Sequence, residues 1–420
     1  MFNLNKEKRA DFSNMTLKVD TRQIIHALSD TLDLVGVDDV QHGKRVAFMA
    51  MQCGKDLNYD LPSMRTLYHA ALLHDCGVSS TRVHHKLVTE LDWRESQYHC
   101  LRGEQLLSSC QLFHDLPAII RYHHTHYENM PASIDRKTAL MSNLIYLVDR
   151  VDALIAQHKD VDILIARKDI CRIISKYSGT FFEESLVDTF LKIAACEIFW
   201  LSLEPRHIIN YCMDMGQKSQ KQIVDQDIIM EVATIFAEIV DAKSTFTVEH
   251  SFGVARLSRY IGSLLCLSGA KQDMLEAAGL LHDLGKLIIP DEILEKPGPL
   301  TEEEKAIMMR HSFESYQILY RIDGFEKIAR WAAFHHETLS GKGYPFHLNE
   351  DGLELEARII AVADIFQALS QKRPYRDSLP SEKIMAIVNN MAAEGHLDHQ
   401  LISLVESHLD ECLRKATCVE

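Results

Sequence analysis

Apolar positions along most of the chain recur every three or four residues rather than every second one, and that spacing predicts helices. From Val19 onward they fall at helical intervals, and Ile228, Val232, Ile235 and Ile239, with steps of 4, 3 and 4, carry the same pattern into the second half. The alternation that a half-buried strand needs is scarce. The chain therefore reads as all-α, helix following helix. Residues 1 to about 18 are polar and mixed in charge and read as a loosely held start. The clearest breakers are the stretch from Gly216 to Lys221 and the Lys296-Pro297-Gly298-Pro299 turn. The first is the natural joint between two units, 1–215 and 216–420.

Laid on one another, the two units match where histidine and aspartate cluster. His42 heads HGKRVA and His250 heads HSFGVA, and each lies 32 residues before a His-Asp pair, His74-Asp75 and His282-Asp283. Further along, His99 answers to His311, the pair His123-His124 to His335-His336, and Asp149 to Asp364. The offset is 208 at the first histidine and the His-Asp pair, 212 at His311 and the double histidine, and 215 at Asp364. The second unit has therefore gained four residues and then three. The last insertion falls after His335-His336, where extra residues between helices belong to a substrate site.

The stretch Gly279 to Ile289, GLLHDLGKLII, sets an imidazole beside a carboxylate inside an apolar run. Both groups must give up water for partners if buried, and a metal ion compensates both. Gly285 is read as the stop of that helix, with the cation of Lys286 set beside the pair. A single such pair is more often a surface or satisfied core feature; His335-His336 alone could be a helix end in water. Asp364, in the apolar helix ARIIAVADIFQAL, could face solvent or pair with Arg358 or Arg373. Seven such accidents, echoed at seven positions of the first unit, instead make His250, His282, Asp283, His311, His335, His336 and Asp364 a ligand set. Nitrogen and carboxylate donors without thiolates suit a hydrolytic centre for iron, manganese or another first-row metal. Seven donors exceed what one ion in an open site can use, so two ions are expected, with Asp283 as their bridge.

Composition narrows the partners. The chain has 420 residues, 46% of them hydrophobic, which suffices for two or three ordinary cores. A net charge of −15 supplies no broad basic face, so DNA is not an expected partner. The N-terminus has no signal-peptide core and no run is long enough to span a membrane, so a cytoplasmic protein is expected. The ten cysteines form no CxxC pair, and several, Cys196 and Cys266 among them, read as reduced, partly buried thiols in helices.

His282-Asp283 with Lys286, the His335-His336-Glu337 triplet and Gly343-Tyr344-Pro345 together resemble the HD-GYP branch of the HD phosphohydrolase superfamily over 222 to about 410. The resemblance implies a helical-bundle domain whose metal centre linearises a bacterial cyclic dinucleotide. It implies one ion on His250, His282, Asp283 and Asp364, and the other on Asp283, His311, His335 and His336. A third ion in this family needs a Glu four residues before the first histidine; Phe246 stands there and Glu249 is out of register, so two ions remain the expectation. A hydroxide bridging them would be the nucleophile and the ions would neutralise phosphoryl charge, with Asp283 and Lys286 at the reacting centre. Lys286, Arg373 and Arg376 are read as cations on the phosphates, although the two arginines also fit a solvated turn, and Gly343, Tyr344 and Pro345 as the loop over the site.

The first unit resembles the superfamily without the branch: His42, His74, Asp75, His99, His123, His124 and Asp149 are kept, while Val78 replaces the lysine and no GYP follows. It is expected to hold metal without gripping phosphate and to serve as a regulatory or dimer-forming partner, so that the protein would be a homodimer; a second hydrolase site is the competing expectation. Among members built as two HD-type halves, some resemble hydrolases of 3′,3′-cyclic GMP-AMP, so the tandem layout favours that nucleotide as substrate without excluding cyclic di-GMP, the commoner substrate of the family. A non-catalytic module that binds a nucleotide or protein is the alternative from another class, and a mono- or triphosphate hydrolase is disfavoured by the GYP.

Overall fold

The computed structural model describes residues 17–34, 41–78, 80, 83, 86–87, 90–93, 95–158, 160–216, 222–224, 226–243, 249–371 and 378–417. Most of the described residues lie in helices joined by turns. The exception is an antiparallel ribbon in which Leu17–Val19 pairs with Gln222–Val224, Lys18 lying opposite Ile223. Residues 17–19 are thus paired rather than loose, and the first helix begins at Thr21, where Asp20 accepts from Arg22 N. Residues 217–221, expected as the joint, lie outside the described residues.

Local signals set the helix starts. Asp60 caps Leu61–Leu73, Asp135 caps Arg136–Gln157 and Ser268 caps Gly269–Leu281, each side chain accepting from an otherwise orphaned backbone N–H. Thr301 and Glu304 form a reciprocal capping box on Glu302–Met308. Their apolar stripes then meet in a repeated order. His42–Asp56 packs on Leu61–Leu73 and Arg136–Gln157, and His250–Leu264 packs on Gly269–Leu281 and Leu355–Ser370. Phe236, Leu257, Leu275, Trp331 and Phe366 are buried in the second core, and Val46, Leu67, Ile145, Phe190 and Trp200 in the first. Burial of apolar area on this scale, at about 25 cal/mol per Å², is what holds the polar centres in place.

The halves also pack on each other in a reciprocal way. Thr21–Asp33 rests on its own Leu61–Leu73 and reaches across to Arg310–Leu319; Gln226–Lys243 rests on its own Gly269–Leu281 and reaches across to Ser96–Ser108. Arg321 Nη1 lies 3.1 Å from Asp30 Oδ2, and Asp323 N donates to Gln23 Oε1 at 2.9 Å. Two local details differ from what the sequence predicts. Cys196 and Cys266 are exposed rather than partly buried, Cys266 because it sits at a helix end with φ of 55°. The helix before the second His-Asp pair ends at Leu281, not at Gly285, and the pair lies in the turn that leads into a 3-10 helix over Leu284–Ile288.

Candidate metal centre

That turn is built around Gly285. A Cβ there would lie 2.0 Å from the carbonyl oxygen of His311, so only glycine lets the turn touch the helix Arg310–Leu319. Ser315 locks the contact, accepting from Gly285 N at 2.8 Å and donating to His282 O at 3.1 Å. His335 closes the centre from the end of Glu326–Ala333, and Asp364 from the middle of Leu355–Ser370. Arg358, a conceivable partner for Asp364, instead pairs with Asp398 and Glu350.

Each ring is aimed by a hydrogen bond on its far side. The Nδ1 atoms of His282, His311 and His335 donate to the carbonyls of Gly279, Met308 and Ala332 at 2.7, 2.6 and 2.7 Å, and His250 Nδ1 donates to Gln367 Oε1 at 2.5 Å. This fixes the tautomer of His282, His311 and His335 with the Nε2 lone pair pointing inward, and makes Nε2 the atom His250 would offer to a cation. His250 Nε2 and His282 Nε2 stand 3.2 Å apart, and His311 Nε2 and His335 Nε2 3.3 Å apart. Lone pairs facing each other so closely repel unless a cation lies among them. Asp283 divides its oxygens between the two pairs. Oδ2 is 3.5 Å from His250 and 3.3 Å from His282, while Oδ1 is 3.6 Å from His311 and 3.9 Å from His335. Asp364 Oδ1 lies 3.2 Å from His250 and 3.8 Å from His282. Ligand atoms of His311, His335 and His336, of His250, His282 and Asp283, and of His282, His335 and Asp364 each cluster within 4.8 Å.

The electrostatics suit metal ligands. Burial lowers His311 to about 3 with the help of His336, lowers His336 to about 4, and holds His335 well below its ordinary value. Burial opposes ionisation of Asp283 and Asp364, but the charges of His282 and Lys286 keep Asp283 well below the usual range and the hydrogen bond from His250 does the same for Asp364. Neutral imidazoles beside ionised carboxylates are the forms that bind cations. His250 differs: burial opposes its charge, yet hydrogen bonds to Asp283 and Asp364 raise it to about 9. Lys286 Nζ donates to Asp283 Oδ2 and is partly open to solvent.

The loop over the centre is clamped by Glu337. Its carboxylate accepts from Phe346 N at 2.6 Å and Leu348 N at 2.9 Å, tying down the chain just after Gly343, Tyr344 and Pro345. Tyr344 N donates to His336 O at 3.2 Å and its ring stacks on that of His336 at 4.8 Å. A Cβ on Gly343 would fall 2.4 Å from Glu337 Cα. Arg373 and Arg376 lie outside the described residues.

The first half assembles the same centre with other support. His42 Nε2 is 3.2 Å from His74 Nε2, His99 Nε2 is 3.2 Å from His123 Nε2, and Asp75 again faces both pairs, at 3.6 Å from His42 and 3.3 Å from His99. Asp149 lies 3.3 Å from His42 and 3.5 Å from His124. Val78 stands where the other centre has its lysine, so Asp75 Oδ2 has no counterpart of the Lys286 contact, and Asp75 Oδ1, on the side of His99 and His123, is buried and accepts no hydrogen bond among the described residues. An orphaned carboxylate oxygen aimed into histidines is a fit for a cation. Arg150 is buried here, its guanidinium on Asp149 Oδ2 at 2.8 Å and on the carbonyl of Glu90 at 2.8 Å. Cys100 Sγ lies 3.8 Å from His99 Nε2, where the second centre has Ser312.

Sequence reasoning missed the outer partners. Asp152 accepts from His42 Nδ1 at 2.7 Å and is held by Arg45, and Gln367 does this for His250. Each lies three residues after the aspartate ligand, on the same helix face, which is the signal that would have found them. Arg150 carried no such spacing, and Glu337 was read only as part of the His335-His336-Glu337 triplet, without its hold on the loop.

Against known families, an HD domain model matches residues 229–401 and a second HD domain model matches 40–157. The chain is 36% identical over 400 residues to 3′3′-cGAMP-specific phosphodiesterase 1 of Vibrio cholerae, covering 93% of this chain and 92% of that one. It is 34% identical to a cyclic di-GMP phosphodiesterase of Thermotoga maritima over 171 residues, 40% of this chain and 46% of that one. A crystal structure of a cyclic GMP-AMP specific phosphodiesterase of V. cholerae superposes with a TM-score of 0.65 at 25% identity, covering 94% and 98% of the two chains. No helix among the described residues is long and apolar enough to cross a membrane.

Proposed function

The chain belongs to the HD-domain family, in a tandem form whose relatives are cyclic dinucleotide phosphodiesterases, and on that premise we propose that its carboxy-terminal half linearises a 3′,3′-cyclic dinucleotide on a two-ion centre. The observation that carries the reading is Asp283, whose two oxygens face two separate histidine pairs inside a buried pocket. Divalent ions held by His250, His282, Asp283 and Asp364, and by Asp283, His311, His335 and His336, would supply a nucleophile from water near neutral pH and neutralise phosphoryl charge. Iron or manganese fits the donor set.

The side chains then have distinct tasks. Asp283 holds the two halves of the ligand set at fixed separation. Lys286, partly exposed and three residues on, is positioned to exchange its contact with Asp283 for a phosphate oxygen. Gly343, Tyr344 and Pro345 wall the pocket and limit water, and Arg373 and Arg376 are proposed as further phosphate contacts. The two units are 1–215 and 216–420.

The hybrid nucleotide 3′,3′-cyclic GMP-AMP is the favoured substrate. Similarity to a relative named for it runs through both halves, whereas the cyclic di-GMP relative matches less than half of this chain. The first half is proposed to hold metal on His42, His74, Asp75, His99, His123, His124 and Asp149 without turning over substrate, because Val78 offers no cation and Arg150 already occupies Asp149.

Purified protein with manganese or ferrous iron should open 3′,3′-cyclic GMP-AMP, cyclic di-GMP or both to linear dinucleotides, and Asp283→Ala should not. Binding of both without cleavage under either metal would replace catalysis by a sensing role.

A further inference from the structure

The two centres are not independent islands. In each, the turn after the His-Asp pair is pressed backbone to backbone against the helix bearing the third histidine: a Cβ on Gly77 would lie 1.9 Å from His99 O, and one on Gly285 2.0 Å from His311 O. A shift of either turn must therefore move its neighbouring ligand helix. The first turn also has a partner across the interface. Arg102, on Ser96–Ser108, donates from Nη1 to Gly77 O at 3.1 Å and Val78 O at 3.4 Å, and from Nη2 to Glu238 O at 2.7 Å. Glu238 belongs to Gln226–Lys243, the first helix of the other half. That helix ends on Lys243, whose side chain is 1% exposed and donates to Leu287 O in the turn after the second His-Asp pair, with Asp291 3.7 Å away.

We propose that Arg102 is a positioning residue that couples the two centres: its guanidinium joins the turn closing the amino-terminal His-Asp pair to the helix whose last lysine holds the turn closing the carboxy-terminal one. A guanidinium is a planar fork with fixed donor directions, so it carries displacement between its acceptors better than a flexible ammonium does. Glu238 and Lys243 are five residues apart, about 7.5 Å along a rigid helix. Gln111 N, which donates to Glu231 Oε2 at 3.0 Å, ties the same helix to the first half a second time. At the far end Leu287 directly follows Lys286, so a displaced Leu287 carbonyl re-aims the cation proposed for the phosphate. The turn Leu284–Ile288 also touches Thr21–Asp33 of the first half, which makes it the place where both halves bear on the catalytic pair.

The inference rests on the reading of both centres as metal-holding, and its test separates the two ideas. Full-length protein is prepared in four forms: unchanged, Asp75→Asn to weaken the amino-terminal centre, Arg102→Met to keep the stem and remove the fork, and both together. Three quantities are followed: kcat and KM for the cyclic dinucleotide, and the rate at which a chelator strips manganese from the carboxy-terminal centre. Asp75→Asn alone is expected to change kcat and the manganese release rate by about fivefold, and in the Arg102→Met background by less than about twofold, since a shared route makes the effects non-additive. Equal effects in the two backgrounds, or none in either, overturn the coupling. Should Arg102→Met fail to fold, Lys243→Met runs the same cycle from the other end of the helix. Non-additive manganese release in a protein that cleaves nothing would keep the coupling and sink the phosphodiesterase reading; additive effects in an active enzyme would do the reverse.

Discussion

Glu337 offers a sharp test of whether the loop over the centre matters as argued. It is 3% exposed, it lies outside the residue groups that could hold a metal, and its two oxygens accept from Phe346 N and Leu348 N. Hydrogen bonds to a charged acceptor contribute about 1.5–3 kcal/mol each. Two of them sum to roughly 3–6 kcal/mol, of which about half is recovered when an opened loop returns its N–H groups to water. The remaining ~1.5–3 kcal/mol corresponds to roughly a 10- to 150-fold loss of the closed, Tyr344-bearing arrangement. Glu337→Ala should therefore lower kcat/KM by up to that factor, while Glu337→Gln, which keeps one acceptor, should fall between it and the unchanged protein. Steady-state kinetics, paired with manganese content and thermal melting, make the check. Metal content should not change, because none of the ligand atoms is lost. A Glu337→Ala protein with kcat/KM within about twofold of the parent would refute the claim that this clamp orders the site.

Further expectations follow from the same geometry. Gly285→Ala must displace the His311 backbone, so both melting temperature and metal content should fall, and a variant that keeps full metal would contradict the close approach. Metal analysis of Asp75→Asn should show ion loss from the first half while Asp283→Asn loses it from the second; unchanged ion content in Asp75→Asn would remove the amino-terminal centre. For chelator-stripped protein, stability should peak near neutrality. His250, raised to about 9, contributes stability that is complete below an unfolded value of about 6.5 and is lost as pH rises through 9. His311 and His336, lowered to about 3 and 4, work the other way: the unfolded chain takes up their protons first, so stability falls as pH drops below about 6.5. Melting curves across pH 5 to 10 should show both slopes, weakened by manganese; a flat apoprotein profile would contradict these environments.

Much of this was legible in the sequence because helical ligand sets repeat at fixed spacing. Helices were readable from steps such as Val232, Ile235 and Ile239, which the structure buries on one face. The clustered histidines were readable because two copies of the same spacing constrain each other. The end of the helix before His282 was misplaced, since Gly285 looks like a helix stop but is needed for its contact with His311 O, a neighbour 26 residues away. The ribbon of Leu17–Val19 with Gln222–Val224 was also invisible, because three-residue strands paired across some two hundred positions leave no local pattern.

What the sequence by itself determined was the all-helical repeat, the seven histidines and aspartates that recur at matching positions in each half, and the absence of the lysine at Val78. Those properties are carried by residue identity and by short-range period, and both are written along the chain. The tertiary structure alone decided how Asp283 divides its oxygens, that Asp152 and Gln367 aim the first histidines, that Arg150 rests on Asp149, and that Arg102 reaches the other half's helix. Each of these depends on where a side chain's few hydrogen-bonding directions meet atoms brought near by packing, and no local pattern in the sequence encodes such a meeting.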